Sequence, residues 1–325
     1  MLTKTLQKYI TCLCLTLTLF VLFSFNTQVN AFFVEDVDVP ITNNFVLTPS
    51  KVEVSVSPGG AIVKSITVAN RTNKTTSFNV VVEDFIGTHK QDDAVVLLGD
   101  ETSPYTLKDF IVPEIDTFTL LSGQQITLPV TVALPSDAVS GGRYAAVIVS
   151  NTGDSVDSDT QEVSTTRIVS RLASLFFVSI DGERDESGVL KDFRISGPRQ
   201  TIREDGEVEF EILFENDGDT HLVPYGFIEI RNMFGSVVAF LPLDPYFALP
   251  NATRFRKIAW NGGHLFGKYR ATLMLNRGYD DVIDEQSILL FVYPLKTTAK
   301  VLFVLLMLFV SARFIHRKWK VKNRG

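Results

Sequence analysis

The residues of this chain that come nearest to a chemistry-bearing pattern are four histidines, three clusters of acids and two cysteines. His89, His221, His264 and His316 stand far apart, and none sits in an H-E-x-x-H or comparable metal-ligand spacing. Asp154, Asp157 and Asp159 fall in NTGDSVDSDTQE (151–162), and Asp217-Gly218-Asp219 falls in a turn. Calcium needs six to eight oxygens, and neither stretch completes D-x-D-x-D-G with a downstream Glu. Both read as solvated hairpin loops. Asp280-Asp281 with Asp284-Glu285 reads as a polar turn between the last strands. There is no G-x-S-x-G elbow, no S-x-x-K and no glycine-rich phosphate loop. The expectation is a non-enzyme with no catalytic residue, no cofactor and no metal. His221 reads as a solvated or capping histidine.

Cys12 and Cys14 lie in a segment built for export. Lys4 and Lys8 precede an apolar stretch from Leu13 to Phe25, and Val29-Asn30-Ala31 supplies small residues for cleavage after Ala31. Residues 1–31 are therefore expected to be a signal peptide, which leaves the mature chain without cysteine, disulfide or thiol chemistry. At the other end VLFVLLMLFVSA (301–312) is followed by a tail with six Lys/Arg and no acid. Counting 297–315 gives nineteen residues, about 28 Å of helix, close to the roughly 30 Å of a hydrocarbon core. A single transmembrane helix over 297–315 is expected, with a basic cytoplasmic tail over 316–325 and the rest outside the cell. All 37 acids lie between signal and anchor, against 22 bases, so the displayed part carries a formal charge of −15. That charge disfavours nucleic acid as a partner.

The elements that position these residues read as strands. VEVSVSP (52–58), ITLPVTV (126–132), LASLFFVSI (172–180) and VEFEILF (208–214) alternate apolar and polar residues, with glycine-bearing turns between them. The fold class expected is all-β, as tandem immunoglobulin-like antiparallel sandwiches. A faint repeat sets their number at two: Asn70 and Asn216 each leave a first strand, and Gly142-Arg143-Tyr144 matches Gly267-Lys268-Tyr269. Asn70 and Asn216 read as turn makers, because asparagine bonds its own main chain. The sandwiches are expected over 32–180 and 189–294, joined by a charged linker, DGERDESG (181–188). The first carries about 21 extra residues, placed in the segment 87–113. That segment holds an apolar strand from Ala94 to Leu98, then Pro104 and Tyr105. It reads as an edge hairpin and as the first candidate for partner contact, the second being the sheet around Tyr225 and Phe227.

These residues carry a resemblance. ITVANRTNK, YTLKDFIVPE (105–114) and LLSGQQITLPVTVALPSDAVSGGRYAAVIVS (120–150) resemble the DUF916 group, the peptidoglycan-binding domain of WxL-interacting proteins on Gram-positive surfaces. The second half, with ENDGDTHLVPYGFIEIRNMFG (215–235), Trp260 and FGKY (266–269), is similar to the Ig-like domain that follows it in many bacterial surface proteins. The resemblance implies binding to cell wall, peptidoglycan or a partner surface protein. The alternative from another class is an accessory subunit of a secretion or pilus-type membrane assembly.

The asymmetric placement of Lys and Arg predicts the topology. Protease added to intact cells should remove the bulk of the chain and spare a tag fused after Gly325. Loss of the tag with the bulk protected would invert that orientation.

Overall fold

The computed structural model describes residues 33–36, 41–90, 93–152, 169–196, 207–261, 267–292 and 295–322. The expected signal peptide, the Asp154–Asp159 cluster and His264 lie outside them. Eighteen strands, one 3-10 turn and one helix follow in order along the described chain. The fold is all-β and immunoglobulin-like in class, with strands arranged in four sheets.

The first eleven strands make two of these sheets. One runs β1 (Phe33–Asp36), β9 (Gln124–Ala133), β4 (Ala61–Asn70), β2 (Phe45–Thr48), with β7 (Ile111–Pro113) also on β9. The other runs β3 (Lys51–Val56), β11 (Arg171–Ile180), β10 (Gly141–Asn151), β5 (Thr76–Gly87), β6 (Val95–Leu97), with β8 (Thr117–Leu120) also on β5. Pairing is antiparallel except between β3 and β11. The alternation in the sequence explains the core. Ile126, Leu128, Val130 and Val132 of β9 meet Val52, Val54 and Val56 of β3 and Phe176 and Val178 of β11 in one apolar cluster. Each such side chain contributes about 1.5–3 kcal/mol by leaving water.

The remaining seven strands repeat the plan with fewer members. A three-stranded sheet of β12 (Gly188–Ile195), β13 (Glu207–Asn216) and β16 (Ala252–Asn261) faces a four-stranded one. The latter runs β15 (Val237–Leu243), β14 (Tyr225–Asn232), β17 (Gly267–Asn276), β18 (Ile283–Val292). Phe210, Ile212, Phe214, Ile228, Ile230, Leu273 and Trp260 lie in their shared core, with Tyr269 edge-on to Trp260 at 5.5 Å. The Asp280-Asp281 turn joins β17 to β18, both residues at positive φ (48° and 52°). Asp284 there pairs with Arg277 at 2.6 Å.

The two asparagines of the repeat hold equivalent turns. Asn70 is fully buried; its amide donates to the carbonyls of Lys74, Leu120 and Leu121, and its oxygen accepts from the Thr72 N–H. Asn216, also fully buried, donates to Thr220 and Ala248 and accepts from the Gly218 N–H. Each satisfies main-chain groups that a two-strand crossover would otherwise bury unpaired.

After β18, helix α1 covers Leu295–Lys322, so it starts two residues before the expected span and continues through most of the basic tail. Among the described residues no helix is long and apolar enough to cross a membrane. The expected span, 297–315, reaches beyond the side chains described in α1, which are those of 299–313.

Replacing Asn216 by Ala strands the Thr220 carbonyl and removes one of two bonds at the Ala248 carbonyl and at the Gly218 N–H, and is expected to cost about 1–3 kcal/mol. Asn70→Ala should cost at least as much. Urea unfolding of each variant measures this, and values within about 0.5 kcal/mol of wild type would deny the turns their dependence on asparagine.

Candidate functional site

Strand β10 contains YAAVIV, which does not alternate, and the structure shows why. Ala145, Val147 and Val149 point into the first core, while Tyr144, Ala146 and Ile148 point the other way and are equally buried. The same holds on β11, where Phe176 and Val178 face the core and Phe177 faces outward with none of its surface exposed. A strand covered on both faces needs apolar residues at every position.

The second face is covered from two directions. Leu249, Phe247 and Ala252 come from the second sandwich, and Val95 and Tyr105 come from the 87–113 segment. Phe177 lies 5.0 Å from the Phe247 ring and 5.1 Å from His221. At Gly87 the strand passes so close to Ala252 that an added Cβ would collide with the Ala252 Cβ. The two sandwiches therefore meet through a junction with a hydrophobic core of its own.

Polar bonds ring this core. The Gly142 N–H donates to the Asp219 carbonyl at 3.0 Å, and the Asp185 N–H donates to the Asp219 carboxylate at 3.1 Å. Asn251 donates to the Tyr105 hydroxyl at 2.6 Å, Arg254 to the Asp93 carbonyl at 3.3 Å, and His89 Nδ1 stands 2.9 Å from Thr253 Oγ1. Asp84, fully buried, accepts from the backbone N–H groups of Ser103, Leu107 and Lys108 and so fixes the end of the 87–113 segment. The segment read from sequence as an edge hairpin does pair β6 with β5 at the edge of its sheet, and it also bonds the second sandwich through Tyr105 and the Asp93 carbonyl. The 181–188 stretch likewise is no slack linker: Asp181 accepts from Ser55 and Ser57, and the Glu183 carbonyl accepts from Ser140.

His221 is the residue that sequence reasoning misplaced. Only 5% of its side chain is exposed, and its Nε2 lies 2.7 Å from Glu53 Oε1. Its Nδ1 lies 3.4 Å from the Tyr144 hydroxyl. The consistent assignment is a neutral ring with Nε2–H donating to Glu53 and Nδ1 accepting from Tyr144. Burial lowers the histidine pKa and outweighs the neighbouring carboxylate, which acts the other way. On Glu53, burial pushes the carboxyl up, but hydrogen bonds from Lys51 and His221 hold it below the usual range. The Glu53 shift draws partly on a charged His221 and the His221 shift argues against one; the latter decides, since the imidazole is the more enclosed group. Burial raises the Tyr144 phenol far above its ordinary value, so it remains a donor throughout.

Glu53, His221 and Tyr144 form a linked chain, with the Tyr144 and Phe177 rings edge-on to the imidazole. Among the described residues no group of three His, Cys, Asp or Glu side chains converges on a common point. On the outer face of the six-stranded sheet, a polar cleft lined by Asn79, Glu83, Ser150 and Arg171 carries a charge pair, Arg171 to Glu83 at 2.6 Å. Asp219, expected in a solvated loop, is a junction residue. His316 falls in α1. The other face named from sequence is exposed as expected: Tyr225 is 44% and Phe240 58% exposed, and Phe227 stacks on Phe240 at 4.5 Å.

No family model and no curated protein matches the chain. Among solved structures it is similar to chaperones of fimbrial assembly at low identity. The class 5 fimbriae chaperone CfaA is 13% identical, covering 78% of this chain and 100% of that one, with a TM-score of 0.33. The CsuC–CsuE chaperone–tip subunit pre-assembly complex from archaic Csu pili of Acinetobacter baumannii gives 12%, 77%, 99% and 0.35. The Salmonella enterica SafA pilin complex with the SafB chaperone gives 12%, 75%, 96% and 0.35.

A buried neutral histidine carries a sign. The unfolded chain binds a proton near the ordinary imidazole value of 6.5, whereas the folded chain binds it only at lower pH. Stability contributed by neutral His221 is thus complete above about pH 6.5 and is lost as pH falls below it. Glu53 adds a second loss only below its unfolded value of 4.5. Thermal unfolding between pH 7.5 and about 5 should show a falling melting temperature, and His221→Gln should flatten that slope. An unchanged slope in the variant would place the titrating group elsewhere.

Proposed function

We propose that this chain is a non-enzymatic, membrane-anchored surface protein that holds a partner protein against the outer face of its second sandwich. The observation that carries the reading is the aromatic strip on the four-stranded sheet. Tyr225, Phe227 and Phe240, with Val238 beside them, form an apolar surface on an otherwise acidic ectodomain. Such patches on soluble domains mark protein contact. Aromatic side chains supply large contact area with few rotatable bonds.

The anchor rests on α1. Every side chain from Val301 to Val310 is between 52% and 64% exposed, and among the described residues none of them belongs to either sandwich's core. A helix apolar on all sides belongs in a core or in lipid, and no core here takes it. Lys300 and Arg313 flank that run at distances where long side chains reach the headgroups. In this reading residues 1–31 are removed on export, the sandwiches stand outside the cell and the basic tail lies in the cytoplasm.

The partner is a surface protein in the reading implied by the DUF916-like residues, or a subunit of a secretion or pilus-type assembly. The fimbrial chaperones share the fold class with this chain, and the likeness carries nothing beyond that. The absence of cysteine from the mature chain permits a single-position test. Photo-crosslinking residues placed at Tyr225 and Phe240 in cells should give discrete protein adducts, and one placed at exposed Val63 on the opposite sandwich should not. Adducts that form only with glycan, or equal yields at all three positions, would overturn the partner-protein reading.

A further inference from the structure

The membrane-proximal end of the second sandwich departs from the rest of the ectodomain in charge. Arg231 and Arg270 are directly opposed on neighbouring strands β14 and β17, their side chains on the same exposed face. Like charges directly opposite destabilise a strand pair. Arg231 is held by Glu229 at Nε (2.5 Å) and by the Gly235 carbonyl at Nη1 (3.0 Å), but Arg270 has no hydrogen-bond or ion-pair partner among the described residues. Lys268, two residues along β17, adds a third cation, its ammonium 5.9 Å from the Phe291 ring. Three bases against one acid thus gather on an ectodomain whose formal charge is −15. Between them lies a cleft of about 290 Å³, also lined by Met233 and Leu289.

The position of this cleft follows from chain connectivity. Gly267 pairs with Val292, the last residue of β18, and α1 begins three residues later at Leu295. Three residues span at most about 10 Å. From Leu295 to Val301, where the apolar run begins, the helix rises about 9 Å, comparable with the polar headgroup layer on one side of a bilayer. Arg270 sits opposite Leu289, about 10 Å up the sheet from Val292. The turn between β14 and β15 is at this same end and exposes Met233 (62%) and Phe234 (85%). An aromatic and a thioether side chain at a bilayer surface, beside a cleft of cations, match the two parts of a lipid.

We propose that the cleft between Arg231, Lys268 and Arg270 holds the phosphate of an anionic lipid headgroup in the membrane that anchors this chain, with Phe234 and Met233 inserted beside it. The unengaged guanidinium fork of Arg270 suits the oxygens of one phosphate, and Arg231, held in place by Glu229 and Gly235, adds its charge beside it, so that the phosphate would also relieve their mutual repulsion. Lys268 supplies a further charge without a fixed geometry. The contact seats the second sandwich on the bilayer, so the aromatic strip higher on the same sheet is presented at a set height. The inference rests on the membrane anchor proposed above.

The test uses the full mature chain with Phe234→Cys, the sole cysteine, carrying a polarity-sensitive fluorophore. Vesicles of phosphatidylcholine alone are compared with vesicles that also contain phosphatidylglycerol. A blue shift of emission is expected only with phosphatidylglycerol, and Lys268→Gln with Arg270→Gln should abolish it, since each charge near an anionic surface is worth about fivefold in affinity. Flotation with both vesicle types, but no blue shift in either, would overturn the headgroup site while leaving the anchor standing. Failure to float with either would overturn the anchor, and the site with it. An equal shift on adding soluble glycerol phosphate to phosphatidylcholine vesicles would make the cleft a phosphate site unrelated to the membrane, and the lipid assignment would fall.

Discussion

Everything else in the structure depends on covering the outer face of β10 and β11. Tyr144, Ile148 and Phe177 present a fully apolar surface on the side of the sheet away from its own core. Left in water, three such side chains would forfeit several kcal/mol, a large share of the stability of an ordinary domain. The second sandwich supplies Phe247, Leu249 and Ala252 against that surface, and the 87–113 segment closes its flank with Val95 and Tyr105. The two halves are therefore coupled through a dry core in place of a tether, and their mutual orientation is set by side-chain packing.

The polar groups around this core follow from the same constraint. Burying the junction also buries Gly218, Thr220 and His221 of the turn after β13, and partly Asp219, whose groups must then find partners within the protein. His221 finds Glu53 and Tyr144, and Asp219 bonds the backbone of Gly142 and Asp185. Gly87 is glycine because its strand approaches the start of β16 too closely for a side chain. A fixed junction leaves the functional work to surfaces away from it. The aromatic strip on the four-stranded sheet and the cationic end below it share one rigid face, and a protein partner and a membrane would engage it at different heights.

Much of this was legible along the chain. Alternation in β3, β9 and β13 predicts one buried face each, and those faces are the ones buried. Asn70 and Asn216 carry a local signal, since an asparagine leaving a strand before a polar turn bonds its own main chain whatever lies around it. LASLFFVSI, expected to alternate, carries four consecutive apolar residues from Leu175 to Val178, and with YAAVIV this was the available sign of a second covered face. Read alone, it shows that something covers these strands without showing what.

What the sequence by itself determined are the properties that act through near neighbours or through composition: strand periodicity, the asparagine turns, the absence of cysteine after residue 31 and the sorting of acids and bases along the chain. Only the tertiary structure decided that His221 is buried, that the 87–113 edge hairpin also bonds the second sandwich and that 181–188 is bonded to both sandwiches. Each of these outcomes depends on partners more than thirty residues away in sequence, among them Glu53 for His221 and Asp219 for Asp185. A polar turn has the same composition whether it faces water or another domain. Its burial is decided by what packs over it, and that is a property of the assembled sheets.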